Sequence, residues 1–191
     1  MTQEQSSLVL PLLKSAQMRR SVYALNKNLP LSQQEVEDLV GHVLKHTPSS
    51  NNSQSARVVL LFGEEHEALW ELVRETLRPL TAKERWGTTD KKVSGFKAAA
   101  GTAMFFEDMA VIRALQKKLP LYKDHFPDWS EHGNAMNQYR LWQLMAAAGA
   151  GANLQHYNPI IDEEVKKRWN IPQDYRLRAQ LVFGEIGRAS C

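Results

Sequence analysis

Three short apolar runs, set far apart in the chain, constrain the fold of this sequence most strongly. They cover residues 57–62, 102–106 and 177–183. Each has the length of a strand, and the last alternates apolar with polar residues. Regular βαβ units need strands and helices in even alternation, whereas long stretches of unequal length separate these runs. The spacing therefore predicts an α+β layered fold in which helices dominate.

Helical periodicity fills much of the remaining chain. Apolar residues recur there at three- and four-residue steps. Two sequences resemble the capping box of a helix N-terminus, Ser32 with Glu35 and Asp128 with Glu131. The predicted helices cover residues 4–17, 33–46 and 64–80, a long stretch from 128, and 162–168. Residues 152–157 follow a glycine-containing turn and are predicted to form a loop or a strand.

Two parts of the helical pattern carry more detailed predictions. Residues 81–92 are charged and contain Gly87, which predicts a short helix followed by an irregular excursion. The long helix from 128 is expected to be the central one. Its apolar residues are predicted to share one stripe, formed by Met136, Tyr139, Trp142, Met145 and Ala146.

Composition limits the class of protein. The chain has 191 residues, 43% of them apolar, and a net charge of +3, which predicts one domain over residues 1–191 and a surface of mixed charge. Nucleic acid is not an expected partner, because no long basic run is present. The lone Cys191 excludes an internal disulfide framework and favours a cytoplasmic setting. No apolar window approaches a membrane span, so no membrane association is expected.

A polar segment immediately before the first apolar run is a candidate binding loop. Seven consecutive side chains from Ser49 to Ser55 carry an amide or a hydroxyl group. They can hydrogen-bond a flat polar ligand from several directions. A polar loop that simply leads into a strand also explains the segment.

Arg19, Arg20 and Ser21 form a second polar cluster, at the end of the first predicted helix. Guanidinium groups donate in a fork that matches phosphate oxygens, and a hydroxyl adds a further bond. Basic residues that complement a helix dipole are the alternative explanation. The sequence contains neither a GxxxxGK[ST] loop nor a GxGxxG turn, so a nucleotide-like ligand would have to be held in another way.

The histidines offer little independent chemistry. His42 and His46 lie four residues apart without a nearby cysteine, so no metal site is predicted. His66 and His125 stand in charged surroundings and are expected to face solvent. His156 follows the glycine turn in a short segment where backbone amides can meet a ligand, although a packed side chain is the alternative. Hydrolase chemistry is not indicated, because the serines lack a GxSxG-like elbow.

Three segments taken together resemble the FMN-dependent nitroreductase family. They are Arg-Arg-Ser-Val-Tyr at 19–23, Pro-Ser-Ser-Asn-Asn-Ser-Gln-Ser at 48–55 and Gly-Ala-Gly-Ala-Asn-Leu-Gln-His-Tyr at 149–157. Their order and separations match as well, and the resemblance covers residues 10–187. The first and third segments are most similar to the branch of short bacterial and fungal nitroreductases related to the fatty-acid-repression proteins.

This resemblance implies a nitroreductase-like fold with a central, mostly antiparallel sheet flanked by helices. It further implies an intertwined homodimer with one FMN at each of two subunit interfaces. FMN would carry the chemistry without a catalytic side chain, taking electrons from NAD(P)H and passing them to a nitroaromatic or quinone acceptor in ping-pong order. The implied cofactor-binding residues are Arg19, Arg20 and Ser21 at the phosphate and ribityl chain, Asn52 and Gln54 at the flavin's polar edge, and Leu154, Gln155 and His156 near flavin N5.

The sequence also departs from the family pattern. Tyr23 stands where broader nitroreductases carry a second basic residue. The branch continues past the last strand with a basic tail, so the C-terminal extension is expected to be truncated or altered here, and Arg188 is the residue that could substitute. Two alternative functions stay open: a flavin-binding regulatory or stress-response dimer with little turnover, and a helical scaffold with unrelated polar loops.

Overall fold

The computed structural model describes residues 3–187, with side chains from residue 6, so Arg188 and Cys191 lie outside the described residues. Within that range, helices and strands are interspersed along the chain. The helices are α1 (Gln3–Met18), α2 (Gln33–His46), α3 (Gly63–Leu77), α4 (Lys83–Lys97), α5 (Met109–Lys118), α6 (Phe126–Ala147) and α7 (Asp162–Arg168). The strands are β1 (Leu25–Asn26), β2 (Ala56–Phe62), β3 (Gly101–Asp108), β4 (Gly151–Gln155) and β5 (Tyr175–Ile186).

A single antiparallel sheet forms the centre of the fold. Its strand order is β1-β5-β3-β2, and β4 also pairs with β5. Met104 of β3 faces Val59 of β2 on one side and Gln180 of β5 on the other. The three predicted strands therefore lie side by side, and the predicted α+β fold with a mostly antiparallel sheet is confirmed.

Apolar side chains cover both faces of the sheet, because successive residues of a strand point to opposite sides. In β3, Met104 and Phe106 pack on the face that also holds Trp70 of α3 and Phe96 of α4. The neighbouring Phe105 packs on the opposite face, with residues of α2 and α6. The sheet is consequently enclosed between two helical layers. None of the described helices is both long and apolar enough to cross a membrane.

The two predicted helix starts have different outcomes. At α2, Glu35 N donates to Ser32 Oγ (3.2 Å) and Ser32 N donates to Glu35 Oε2 (2.7 Å), so the predicted capping box is confirmed. These bonds from Ser32 lower the pKa of Glu35. At α6 the box is wrong, because the helix already begins at Phe126 with Pro127 in its first turn. Proline is well suited to this position, where its missing N–H leaves no bond unmade.

Two further helices differ from the sequence prediction. The short helix and excursion predicted over 81–92 are wrong, because α4 runs without a break through Gly87. Burial of Val93 and Phe96 anchors α4 in the core, and this tertiary packing outweighs the cost of about 1 kcal/mol for a helical glycine. Helix α5 lies where no element is predicted, and the Asp108 side chain caps it by accepting from Ala110 N (3.1 Å).

The apolar stripe predicted on α6 lies largely outside the core. Met145 is buried, but Met136 and Tyr139 are 42% and 48% exposed. The side of α6 that faces the sheet carries Asn134 and Gln138 instead, and both are buried. A search for apolar periodicity cannot find a buried face that is largely polar.

Candidate functional site

The Arg19–Ser21 segment lies directly against the start of β4. Ser21 forms a parallel bridge with Ala152, and Val22 N donates to Ala152 O (2.9 Å). Asn153 Nδ2 donates to Val22 O (2.8 Å), and Asn153 is fully buried. Two of the three polar segments found in the sequence are thus held together in one chain.

The two arginines of this segment are available to an anion. The guanidinium carbon of Arg19 lies 4.5 Å from the centroid of the Trp142 ring on α6, a cation–π contact. Arg20 is exposed. Across the described residues, neither arginine forms an ion pair with a carboxylate. Within the described part of the chain, their positive charge is therefore not neutralised by a carboxylate.

The end of β4 is fixed by a chain of buried amides. Gln155 Nε2 donates to Asn153 Oδ1 (2.9 Å), and only 7% of Gln155 is exposed. Beyond the strand, Tyr157 N donates to Oε1 of the buried Gln180 (2.8 Å). The side chain of Gln155 is thus engaged within the protein, which leaves the backbone of this segment, with the half-buried Leu154, as the part that can meet a ligand.

His156 follows Gln155 and is exposed. The surrounding protein still removes part of the water around its ring, and this desolvation lowers the pKa of His156. The positive charge of Arg178 acts in the same direction. Arg178 itself pairs with Glu131 of α6 (2.7 Å). Two other histidines were predicted to face solvent. His125 is exposed, which confirms the prediction. His66 is only 1% exposed, so the prediction for it is wrong.

The polar loop before β2 has an unusual backbone. Asn51, Asn52 and Gln54 have φ angles of 51°, 50° and 49°, in the left-handed region that a glutamine rarely adopts. Ser49 holds this turn, since its carbonyl accepts from Asn52 N (3.0 Å) and its Oγ accepts from Gln54 N (3.0 Å). The side chains of Asn52 and Gln54 are exposed. Such stored strain is characteristic of binding sites.

Within one chain, this loop lies away from the arginine segment. The loop packs on α6 near Gly133, where a Cβ would lie 3.9 Å from Ser49, whereas Arg19 contacts Trp142. Those two helical positions are separated by roughly 13 Å along the axis. In the sheet, β2 is three strand spacings from β4, roughly 14 Å. The predicted site residues therefore form two groups, one around Arg19 and β4 and the other at Asn52 and Gln54.

Sequence reasoning missed the residues that hold the first group in place. Asn153 and Gln180 are fully buried amides, and Trp142 supplies the ring beneath Arg19. A signal was present for Gln180, a polar residue on a strand whose neighbours are apolar. This signal was not specific, because the alternation of apolar and polar residues along a strand assigns a polar residue such as Gln180 to the solvent face.

The fold and these segments agree with a comparison to known proteins. The model of the Nitroreductase family matches residues 16–185, nearly the whole chain. The chain belongs to the nitroreductase family. This confirms the resemblance inferred from the three polar segments.

Individual relatives support the assignment. Nitroreductase FRM2 of Saccharomyces cerevisiae is 32% identical over 168 residues, which are 87% of this chain and 83% of FRM2. The structure of nitroreductase CinD from Lactococcus lactis in complex with chloramphenicol is 42% identical, covers 91% of this chain and 88% of CinD, and superposes with a TM-score of 0.83. A nitroreductase with bound FMN from Desulfitobacterium hafniense shares the fold alone, at 14% identity and TM-score 0.69, covering 95% of this chain and 91% of that one.

Proposed function

We propose that this nitroreductase-family protein is an FMN-dependent oxidoreductase that uses NAD(P)H to reduce nitroaromatic or quinone compounds in ping-pong order. The observation that carries the proposal is the pair Arg19 and Arg20, free of carboxylate partners among the described residues and held beside β4. The CinD structure supports the acceptor class, because its ligand chloramphenicol is a nitroaromatic compound.

The residues present fit FMN. Arg19 and Arg20 would bind the phosphate through charge-assisted hydrogen bonds, and the exposed Ser21 would add a hydroxyl beside them. The backbone of residues 154–156 would face the ring near N5, while Asn52 and Gln54 would bind its polar edge. When bound, FMN supplies the two-electron chemistry, and the chain contributes binding and orientation.

The separation of the two groups of residues favours a site shared by two copies of the chain. Helix α1 exposes apolar side chains, among them Leu8 (68%) and Leu12 (52%), and α6 exposes Met136 and Tyr139 beside it. An apolar surface of this kind is typical of a protein interface. We therefore propose a homodimer in which Arg19 and β4 of one copy and the Asn52 loop of the other hold the same FMN.

An absorbance spectrum of the purified protein tests the proposal directly. Protein supplied with FMN and then freed of excess cofactor should show flavin bands that bleach on addition of NADH or NADPH and return with a nitroaromatic acceptor. Protein that stays colourless would contradict the cofactor assignment. Flavin bands that do not bleach with either nicotinamide would instead contradict the catalytic part and favour a flavin-binding regulatory dimer.

A further inference from the structure

A buried carboxyl group lies behind the polar loop that carries Asn52 and Gln54. Glu107 of β3 is 1% exposed, and in the sheet it stands opposite Ala56, the first residue of β2. Its Oε1 accepts from Asn134 Nδ2 of α6 (2.9 Å). Among the described residues, Oε2 is buried without a partner in full hydrogen-bonding geometry. A negative charge on this carboxyl group is therefore costly, because burial removes water that no donor fully replaces.

Two serine hydroxyls connect this carboxyl group to the loop. The hydroxyl of Ser55, a residue 2% exposed, acts on Glu107 as a donor, although its geometry falls short of a full hydrogen bond. Ser55 Oγ lies 3.2 Å from Ser53 Oγ, and either hydroxyl can donate to the other. Ser53 is half-buried and stands between Asn52 and Gln54 in the chain. The three groups thus form a line from the carboxyl group to the proposed flavin contacts.

The charged groups around Glu107 do not neutralise it. They come from four elements, and they are Lys45 of α2, Arg57 of β2, Glu131 of α6 and Arg178 of β5. Arg57 pairs with Asp108 (3.0 Å) and Arg178 pairs with Glu131 (2.7 Å), while Lys45 is exposed to solvent. Among the described residues, none of these cations forms an ion pair with Glu107.

This environment favours the neutral form of the carboxyl group. Burial raises the pKa of Glu107, and the charge of Glu131 acts in the same direction. Hydrogen bonds from the Ser55 and Asn134 side chains and the charge of Arg178 oppose the shift. Glu107 therefore takes up a proton at a higher pH than an exposed glutamate does.

The two states of Glu107 turn the serine hydroxyls in opposite directions. The carboxylate can only accept, so Ser55 donates to it and Ser55 Oγ is left to accept from Ser53. The protonated carboxyl group can donate to Ser55 Oγ, and Ser55 then donates to Ser53 Oγ. In the first state the Ser53 hydrogen points inward, and in the second it is free to point away from Ser55.

We propose that Glu107 is a positioning residue for FMN, which acts through Ser55 and Ser53 to set whether the loop offers the flavin's polar edge a donor or an acceptor. The inference rests on the proposed function, because that function places the Asn52 loop at this edge. The carbonyl oxygens of the edge accept hydrogen bonds, so the state in which Ser53 donates binds FMN more tightly.

Glu107→Gln gives the sharpest test, because the glutamine imitates the protonated carboxyl group. Its oxygen accepts from Asn134 and its amide donates to Ser55. Fluorescence titrations with FMN from pH 5 to pH 9 should show the two affinities converging at the acid end. At the alkaline end the variant should bind FMN about three- to tenfold tighter than the wild type. The ratio of the two affinities is compared, since the FMN phosphate titrates in both. A role in packing alone gives equal or weaker binding at every pH.

Ser55→Ala removes the connection without altering the carboxyl group. In that background, Glu107→Gln should leave FMN affinity unchanged at every pH. Ser130→Ala is the matched control, because Ser130 is buried and lines the same cavity but donates to Pro127 O (2.7 Å). It should keep the wild-type pH profile.

Two results would overturn this proposal while leaving the proposed function intact. In both, the wild type binds FMN. In the first, the ratio between Glu107→Gln and the wild type does not change with pH. In the second, the ratio changes with pH but the change survives in the Ser55→Ala background. Wild-type protein that binds no FMN at any pH would overturn the proposed function together with this inference.

Discussion

His66 is enclosed by hydrogen-bonding partners that suit its neutral form. Its Nε2 lies 3.1 Å from Phe96 O, which can only accept, so Nε2 carries the proton. Its unprotonated Nδ1 accepts from Thr102 Oγ1 (2.9 Å), and Thr102 Oγ1 in turn accepts from Trp70 Nε1 (3.0 Å). Burial lowers the pKa of His66 to about 4, although the Phe96 and Lys97 carbonyls oppose the shift.

The lowered pKa of His66 predicts acid sensitivity. Between pH 6.5 and about 4 the unfolded chain binds a proton at this position that the folded chain refuses, so stability falls as pH falls through this window. The full effect is about 3 kcal/mol of the free energy of unfolding. Urea unfolding at pH 7 and pH 4.5 should show a smaller loss in His66→Gln than in the wild type. Equal losses would show that His66 does not titrate in this way.

Arg19 combines a proposed phosphate contact with its position over Trp142. Arg19→Ala should weaken FMN binding about ten- to a hundredfold, because it removes a charge-assisted hydrogen bond. Fluorescence titration with FMN measures the change. Arg78→Ala is the matched control, since Arg78 also lies over a tryptophan, 5.1 Å from the Trp86 ring centroid, but outside the proposed site. Equal FMN affinity in both variants would remove Arg19 from the site.

Asn52 allows its side chain and its backbone to be tested separately. Its φ angle of 50° suits glycine, so Asn52→Gly should leave the melting temperature unchanged or higher while weakening FMN binding. Asn170→Gly is the control, because Asn170 has a φ angle of 49° and is exposed away from the loop. A fall in melting temperature with normal FMN affinity would mean that Asn52 is structural.

At the scale of elements, local signals located most helices and strands, but tertiary contacts fixed several boundaries. The Ser32 box can be found in sequence because all of its atoms lie within four residues. The start of α6 cannot, since Ser130 donates to Pro127 O (2.7 Å) and Glu131 reaches β5 to pair with Arg178. A long-range partner thus uses Glu131, one of the two side chains that a capping box would need.

The two box-like sequences give a direct comparison at this scale. Ser32→Ala should lower the free energy of unfolding by about 1 kcal/mol, because it removes the hydrogen bond to Glu35 N. Asp128→Ala should change it by less than about 0.5 kcal/mol, since no cap is formed there and the residue contributes only a charge in the first turn. Urea unfolding of both variants measures the difference, and equal losses would contradict the structure at α6.

At the scale of the whole molecule, two features of the described residues point to a second copy of the chain. Gln143 Nε2 donates to Ser15 Oγ (2.8 Å) and helps hold α1 against α6, yet the apolar side chains of α1 remain exposed. The candidate cofactor residues are divided between two places. A second copy of the chain would cover the exposed apolar side chains of α1. It would also bring the two groups of candidate cofactor residues together.

The proposed homodimer couples assembly to cofactor binding. The double variant Leu8→Glu with Leu12→Glu places charge on the exposed face of α1 and should shift the protein to monomer by light scattering, with weaker FMN binding at the same time. Leu80→Glu, at a position 66% exposed beyond α3, should stay dimeric. A double variant that remains dimeric, or a wild type that is monomeric with full FMN binding, would contradict the shared site.

The sequence by itself determined the α+β class, the three main strands, the capped α2 and the three polar segments that identify the family. Each of these depends on residues close together in the chain, where periodicity and spacing act directly. Only the tertiary structure decided that His66 and Glu107 are buried, that α6 turns polar residues inward, and that the Asn52 loop lies apart from Arg19. Those features depend on strand pairing and helix packing between distant residues, which no local pattern encodes.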